Sequence, residues 1–90
     1  MEITIGILGD FDETKISQVR LNTSLDEAGS ILSVKIHKEW IPSEMCSTER
    51  DLDLHLFDGI WGAPGNYHAP EGIIRALQIV REDNIPFLGT

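Results

Sequence analysis

The stretch of sequence that decides the fold is PEGIIRALQIVREDNIPFLG, residues Pro70–Gly89. Its first two residues suit the start of a helix, because proline needs no amide donor there and a carboxylate complements the positive helix end. The apolar residues that follow recur at helical spacing, which predicts a helix over residues 70–83 with one buried stripe: Ile73, Ile74, Leu77 and Val80. Asn84 can end this helix. Residues 85–89 then predict a strand whose proline lies near its start, where no ladder hydrogen bond is lost.

Three further segments upstream have the patterns of β-strands. Residues 2–8 are rich in isoleucine, which is typical of a strand buried on both faces of a sheet. Residues 33–40 alternate and predict a half-buried strand near a sheet edge, with Val34, Ile36 and Lys38 on one face and Lys35, His37 and Glu39 on the other. Residues 58–62 predict a third, short strand. We expect five residues of these strands to lie buried in one sheet: Ile5, Ile7, Ile36, Ile60 and Leu88.

The segments between these strands predict one helix and one loop. Residues 15–28 have imperfect helical spacing, and Gly29 is a good residue to end that helix in the left-handed conformation. Residues 42–51 are polar and hold no period, so they predict a loop, with one helical turn at Thr48–Leu54. Strands that alternate with helices are typical of an α/β protein with a mainly parallel sheet and right-handed crossovers.

Composition and charge exclude several classes of function. The chain of 90 residues has 15 acidic and 7 basic residues, a formal net charge of −8. Nucleic acids and anionic membrane surfaces are therefore not expected as partners. No apolar run approaches the roughly 20 residues of a membrane helix, and residues 1–5 lack the features of a secretory signal. A single cysteine, Cys46, permits no internal disulfide, so the sequence predicts a cytoplasmic protein.

The candidate ligand site lies where the strands end. Ligands of open parallel sheets bind beyond the carboxyl ends of the strands, and three segments qualify: Gly9–Phe11, Gly62–Tyr67 and whatever follows Gly89. The middle segment, GAPGNY, combines glycine and proline after a buried strand. Gly65 has no Cβ atom, so backbone N–H groups beside it can approach a ligand closely and suit a developing oxyanion. The alternative is an ordinary structural turn.

Other residue types that often carry chemistry show no such arrangement. Cys46 lies in a polar segment without a helix N-terminus or a histidine to lower its pKa, so we expect an inert loop cysteine. Zinc-site spacing is absent, and we expect no metal and no cofactor; the histidines are His37, His55 and His68. Asp10 and Asp12 follow the first strand as in receiver-type phosphorylation modules, but Asp58 lies at the start of the third strand instead of its end. Residues 6–11 do not supply the G-x-G-x-x-G of a dinucleotide site.

Several segments, read together, resemble the class I glutamine amidotransferase domain of CTP synthase. They are Phe57–Ile60, Pro64–Tyr67, Gly72 and Val80–Gly89, which match the family pattern "DGI…PGGFG…G…AR-EN-IPFLG" at nearly the same spacings. Residues 3–9, 25–29 and 40–44 match that family as well. The resemblance implies a flavodoxin-like three-layer sandwich with about four strands in the order 2-1-3-4 in this part of the domain.

The resemblance also implies a reaction and a site. In that family a cysteine thiolate attacks the side-chain amide of glutamine, backbone N–H groups stabilise the oxyanion, and ammonia passes to a synthetase domain that makes CTP from UTP. Gly65, Asn66 and Tyr67 stand where the family has its oxyanion hole and glutamine contacts. Here asparagine replaces the second glycine and tyrosine replaces phenylalanine. Asparagine tolerates positive φ better than other residues that carry a Cβ atom.

The resemblance further predicts what lies outside these residues. Residues 1–90 would form the N-terminal part of the amidotransferase domain, with the nucleophile just after Thr90 and the catalytic histidine and glutamate further on. We therefore expect the isolated chain to be inactive, and to be weakly stable or to self-associate because its fourth strand ends as an unpaired edge. Its partners would be glutamine, the remaining half-domain and a synthetase domain. The alternative is a non-catalytic relative, an amidotransferase-like binding or assembly module, which a residue other than cysteine two places after Gly89 would favour.

Overall fold

The structure is a computed structural model that describes residues 1–48, 52–64 and 67–89. The elements within this part are, in chain order, β1 (Glu2–Leu8), α1 (Ile16–Leu32), β2 (Lys35–Ile41), α2 (Ser43–Thr48), a 3₁₀ turn (Leu54–Leu56), β3 (Gly59–Gly62), α3 (Pro70–Glu82) and β4 (Phe87–Gly89). Among the helices described here, none has the length and apolar character that crossing a membrane requires.

The strands pair in parallel in one sheet with the order β2-β1-β3-β4, which confirms the predicted α/β class, strand order and flavodoxin-like architecture. β1 pairs with β2 along its whole length, from Glu2↔Lys35 to Leu8↔Ile41. On its other side β1 pairs with β3, and the last pair there is Leu8↔Gly62. β1 therefore lies inside the sheet, as its isoleucine-rich sequence predicted, and its carboxyl end lies beside that of β3.

The helices cover both faces of the sheet and divide the core into two clusters. On one face α2 and α3 pack on the sheet, and the buried residues are Leu8, Ile41, Cys46, Leu54, Ile60, Ile73, Ala76, Val80 and Ile85. On the other face α1 packs on the sheet, and the buried residues are Ile7, Leu21, Leu25 and Ala63. Ile7 and Leu8 are neighbours in β1 but belong to opposite clusters, because successive side chains of a strand alternate between its faces.

The first helix is longer than predicted, and Gly29 does not end it. α1 continues to Leu32, and Ser33 takes the left-handed conformation with a φ of 56°. Gly29 is buried within the helix, and a Cβ atom there would lie 2.7 Å from the carbonyl oxygen of Val34. The glycine is therefore required by the close packing of α1 against the chain that enters β2, and not by a turn.

The prediction of a loop over residues 42–51 is wrong for residues 43–48, because Ser43–Thr48 form α2. Two of these residues are fully buried: Ser43 and Cys46. A helix of 6 residues is too short to show a helical period, and its polar composition conceals its buried side. The predicted helical turn at Thr48–Leu54 falls partly on residues 49–51, which lie outside the described residues, and a 3₁₀ turn begins at Leu54.

The unit Pro70–Gly89 forms the helix and the strand that its sequence predicted. α3 spans Pro70–Glu82, and Asn84 takes a positive φ of 54° just after the helix ends. β4 begins directly after Pro86, whose carbonyl oxygen accepts a hydrogen bond from the Ile60 amide at 2.8 Å. The proline thus lies beside the ladder of β3 and β4 without breaking it.

The buried stripe of α3 is only partly the predicted one. Ile73 and Val80 are buried as predicted, but Ile74 and Leu77 are 58% and 38% exposed. Their places on the buried face are taken by small residues, Gly72 and Ala76. The prediction followed the large apolar residues, whereas the face that packs on the sheet and on α2 requires small ones.

Of the five strand residues predicted to be buried, two are fully buried, two are half-buried and one is exposed. Ile7 and Ile60 are buried, and Ile5 and Ile36 are half-buried. Leu88, predicted to be buried, is 56% exposed, because β4 is the outermost strand of the sheet order.

Candidate functional site

The carboxyl ends of β1 and β3 lie side by side and form the base of the candidate site. The amide of Ala63, one residue past β3, donates to the Leu8 carbonyl oxygen at 3.0 Å. A Cβ atom on Gly9 would lie 3.0 Å from the Cβ of Ala63, so the two segments leave the sheet in close contact. Two of the three segments that sequence reasoning selected, those after β1 and β3, therefore meet at one edge of the sheet.

Among the three predicted site residues, Tyr67 lies within the described residues, whereas Gly65 and Asn66 lie outside them. The Tyr67 hydroxyl donates to the Ala63 carbonyl oxygen at 2.6 Å, and its half-buried ring packs against the cluster that includes α3. Burial raises the pKa of Tyr67, and the Asp10 carboxylate raises it further. The phenol therefore stays protonated at neutral pH and ties Tyr67 to the residue that follows β3.

The side chain of Gln18, in α1, joins the segments that follow β1 and β3. Gln18 is only 3% exposed. Its Nε2 donates to the carbonyl oxygens of Pro64 (3.1 Å) and Asp10 (3.3 Å), and its Oε1 accepts from the Asp12 amide (2.7 Å). Because every polar atom of this buried amide has a partner, Gln18 can hold both segments in place.

The carboxylate of Asp10 links β1 to α2 and to the segment before α3. Its side chain is 9% exposed. Oδ1 accepts from the Ser43 amide (2.9 Å), and Oδ2 accepts from the Ser43 hydroxyl (2.6 Å) and the His68 amide (2.8 Å). Burial by itself would raise the pKa of Asp10, but these hydrogen bonds and the nearby His68 imidazole outweigh it, so the pKa lies below its ordinary value. Asp10 is therefore ionised at neutral pH.

Sequence reasoning missed the roles of Gln18 and Ser43. A signal for Gln18 existed, because it precedes the buried Leu21 and Leu25 by three and seven residues and so lies on the buried face of α1. A glutamine on such a face needs partners, which predicts a polar contact at that end of the helix. Ser43 gave no comparable signal, since it belongs to the segment predicted as a loop.

An open cleft of about 600 Å³ lies beside these residues at the edge of the sheet. It is lined by Asp10, Phe11, Asp12, Glu13, Lys15, Gln18 and His68. Pockets for small molecules have volumes of about 300–1,000 Å³, so this cleft has room for a ligand the size of an amino acid. The Phe11 ring, whose centroid lies 4.9 Å from that of Trp40, forms part of its wall.

The chain's one thiol is enclosed in α2 and does not lie in a loop. Cys46 is 0% exposed. Burial raises the pKa of the Cys46 thiol, the Arg75 guanidinium lowers it in part, and Asp10 adds a smaller upward effect. The predicted position of Cys46 in a loop is therefore wrong, and its inertness stays a prediction, since a buried thiol that remains protonated is a poor nucleophile.

The histidines pair with single carboxylates. His37 lies 3.1 Å from Glu2 and His55 lies 2.9 Å from Asp83, both at the surface. Within the described residues, no group of three or more histidine, cysteine, aspartate and glutamate side chains could hold a metal ion.

Nearly the whole chain is similar to CTP synthases. It is 35% identical over 97 residues to the CTP synthase of Methanocaldococcus jannaschii, 37% over 91 residues to that of Bartonella tribocorum and 37% over 90 residues to that of Campylobacter jejuni. Each alignment covers 98% of this chain, but the chain spans only 17–18% of the length of these relatives. No protein-family model matches the chain. The homology to a segment of CTP synthase confirms the resemblance inferred from Val80–Gly89 and the other motifs.

Proposed function

We propose that this chain is the N-terminal part of a class I glutamine amidotransferase domain, in a protein that hydrolyses glutamine to supply ammonia for the synthesis of CTP from UTP. The observation that carries the proposal is the alignment of 98% of the chain with CTP synthases at 35–37% identity. The parallel sheet supports it, because glutamine would then bind at the carboxyl ends of β1 and β3, where the cleft lies. The proposal includes a cytoplasmic location, since the one thiol forms no internal disulfide.

In this proposal the turn after β3 stabilises the oxyanion that forms when a thiolate attacks the glutamine amide. Backbone N–H groups at Gly65 and Asn66 would supply the hydrogen bonds, as donors aimed at a developing negative charge do in acyl transfer. Tyr67 would act by holding the turn, because its hydroxyl is already engaged by the Ala63 carbonyl oxygen at 2.6 Å. The role of Tyr67 is therefore to fix the backbone, and the donors come from the main chain.

The one cysteine of this chain is not the nucleophile of this reaction. Cys46 is its single cysteine, and burial raises the pKa of that thiol. Attack on an amide requires an accessible thiolate with a nearby base. We therefore propose that the purified chain of 90 residues releases no ammonia from glutamine, either as it stands or as Cys46→Ser. Ammonia release that disappears in Cys46→Ser would identify Cys46 as a nucleophile and overturn this assignment.

The proposed function is tested on the complete natural polypeptide that carries this sequence, by measuring ammonia released from glutamine. Gly65→Pro removes the backbone N–H at that position, and its matched control, Gly65→Ala, keeps it. If the N–H stabilises the oxyanion, Gly65→Pro should lower kcat by about 100-fold to 1,000-fold more than Gly65→Ala does. A complete polypeptide without glutaminase activity would instead support the non-catalytic binding or assembly module.

A further inference from the structure

One buried carboxylate joins three separate segments at the edge of the sheet where the candidate site lies. Asp10 follows β1, Ser43 opens α2, and His68 lies just before α3. Oδ2 of Asp10 accepts hydrogen bonds from both the Ser43 hydroxyl (2.6 Å) and the His68 amide (2.8 Å), while Oδ1 accepts from the Ser43 amide (2.9 Å). Every partner of this carboxylate is a donor, so an ionised acid suits the position and a neutral amide does not.

Ser43 extends the hydrogen-bond network of Asp10 to a second backbone amide. Its hydroxyl donates to Asp10 and, through the same oxygen, accepts from the Ala69 amide at 2.9 Å. Ser43 is 0% exposed, so water cannot replace either partner without opening the fold. Two successive amides, those of His68 and Ala69, are therefore held by one pair of side chains.

The other end of the turn is held independently. The Ala63 amide donates to the Leu8 carbonyl oxygen at 3.0 Å, and the Pro64 carbonyl oxygen accepts from Gln18 at 3.1 Å. With this end fixed to β1 and α1, the chain that leaves the turn is held by the Tyr67 hydroxyl and by the bonds to the His68 and Ala69 amides.

We infer that Asp10, acting with Ser43, is a positioning residue that fixes the backbone of His68 and Ala69 and thereby the place where the chain leaves the turn after β3. The inference rests on the proposed function only in assigning glutamine to that turn. The contacts that define the positioning pair belong to the chain itself.

The positioning is tested first on this chain by nuclear magnetic resonance, which needs no activity. In Asp10→Asn one oxygen becomes an NH₂ group that faces a backbone donor, the Ser43 amide at Oδ1 or the His68 amide at Oδ2, so the exchange protection of one of these two amides should fall by about tenfold to 100-fold. Ser43→Ala should lower the exchange protection of the Ala69 amide in the same way. Ser43→Thr keeps a hydroxyl and should therefore retain that protection. The matched control is Asp26→Asn, which changes an exposed aspartate paired with Lys38 and should leave the exchange protection of these amides unchanged.

A pH titration of the unmodified chain keeps the inference falsifiable even if Asp10→Asn does not fold. The groups that face Asp10 are the His68 imidazole, 3.9 Å away, and the side chains of Tyr67 and Cys46. Protonation of Asp10 below about pH 4 should shift the His68 and Ala69 amide resonances together. The shift should persist in His68→Asn, which keeps the amide and removes the imidazole. The inference would be overturned if the His68 and Ala69 amides responded neither to acid nor to Asp10→Asn nor to Ser43→Ala.

The consequence for catalysis is measured on the complete natural polypeptide. A misplaced turn should lower kcat for glutamine hydrolysis by about tenfold to 100-fold in Asp10→Asn, with little change in KM. Ser43→Thr should retain more activity than Ser43→Ala. An active polypeptide whose Asp10→Asn variant keeps its full kcat would refute the catalytic part of the inference. An inactive unmodified polypeptide would refute the proposed function instead, and the amide measurements would still decide whether Asp10 is a positioning residue.

Discussion

Asp10 stabilises the folded chain through its charge. Burial pushes its pKa upward, but the hydrogen bonds from Ser43 and His68 and the adjacent imidazole push it further downward. A group whose pKa is lower in the folded state contributes stability that is fully present above its unfolded pKa of about 3.9. That contribution is lost as the pH falls through the lower, folded value.

The first prediction concerns this pH dependence. Between about pH 5 and pH 2, the free energy of unfolding should fall less steeply with decreasing pH in Asp10→Asn than in the unmodified chain. Asp12, whose pKa is lowered by hydrogen bonds from Thr14, contributes to the slope in both proteins and does not affect the difference. Urea unfolding followed by tryptophan fluorescence measures both slopes, and equal slopes would contradict the prediction.

At single positions, the sequence predicted the end of β3 and the turn after it, but not the side chains that hold that turn. The glycine and proline after β3 indicated a turn at a strand end, and Tyr67 indeed lies there. The side chains that hold this turn, those of Asp10, Gln18 and Ser43, come from three distant segments. Contacts of this kind depend on which segments the sheet brings together, so a local pattern does not reveal them. Only the helical spacing of Gln18 gave a usable signal.

Among the helices, large apolar residues misled the prediction for α3. Leu77 fits the helical pattern but is 38% exposed, whereas Ile73 is 7% exposed and belongs to the core cluster with Ala76. Sequence periodicity therefore found the helix and its length, but placed the centre of its buried face about one residue too far along the chain.

The second prediction compares two truncations on α3. Ile73→Ala should destabilise the chain by about 2–5 kcal/mol, the range for a buried isoleucine. Leu77→Ala should cost about 1 kcal/mol or less, because much of its side chain is already in water. Urea unfolding of both variants measures the difference. A larger loss for Leu77→Ala than for Ile73→Ala would mean that Leu77 is the more deeply buried of the two, contrary to the structure.

The third prediction concerns the contact between α2 and α3, which depends on Gly72. A Cβ atom on Gly72 would collide with the Ser43 carbonyl oxygen and lie 2.8 Å from the Ser47 amide nitrogen, so the two helices touch through their backbones. Gly72→Ala should therefore destabilise the chain by about 1–3 kcal/mol or more.

Gly59→Ala is the matched control for this substitution. A Cβ atom on Gly59 would meet its nearest neighbour at 3.5 Å, an ordinary contact, so this variant should lose less stability. If both variants have the same free energy of unfolding, α2 does not pack on α3 as closely as described. The same contact explains why α2 was missed: a helix of 6 residues is stabilised by what it packs against, and its own sequence gives no period.

At the scale of the whole molecule, the parallel pairing and the interior position of β1 were predictable from the sequence pattern, and the strand order was implied by the family resemblance. Alternation of strands and helices along the chain requires crossovers, and the apolar run of Glu2–Leu8 required an interior position in the sheet. An unpaired edge at β4 was predicted, but the exposure of the Leu88 side chain was not, because Phe87 and Leu88 are as apolar as residues of an interior strand. Whether these two side chains are exposed depends on which elements lie beside β4 in the sheet, and their own sequence does not reveal that.

The last prediction concerns this exposed edge. Within the part of the chain that the structure describes, no strand pairs with the outer side of β4, and Phe87 and Leu88 are 43% and 56% exposed. An apolar groove continues from them across the sheet to Trp61 and Leu25. Unpaired apolar edges favour pairing with a second copy, so the average mass of this chain in sedimentation velocity should rise with protein concentration. Added salt should strengthen the association, because the net charge of −8 repels a second copy and the Debye length shortens from about 30 Å at 0.01 M to about 3 Å at 1 M.

Leu88→Lys places a charge on the edge and should keep the chain monomeric. Its matched control, Ile31→Lys, makes the same change of charge at a residue that is 82% exposed on α1, and it should associate nearly as well as the unmodified chain. Equal loss of association in both variants would attribute the effect to net charge, and a chain that stays monomeric at every concentration and salt would show that β4 does not pair.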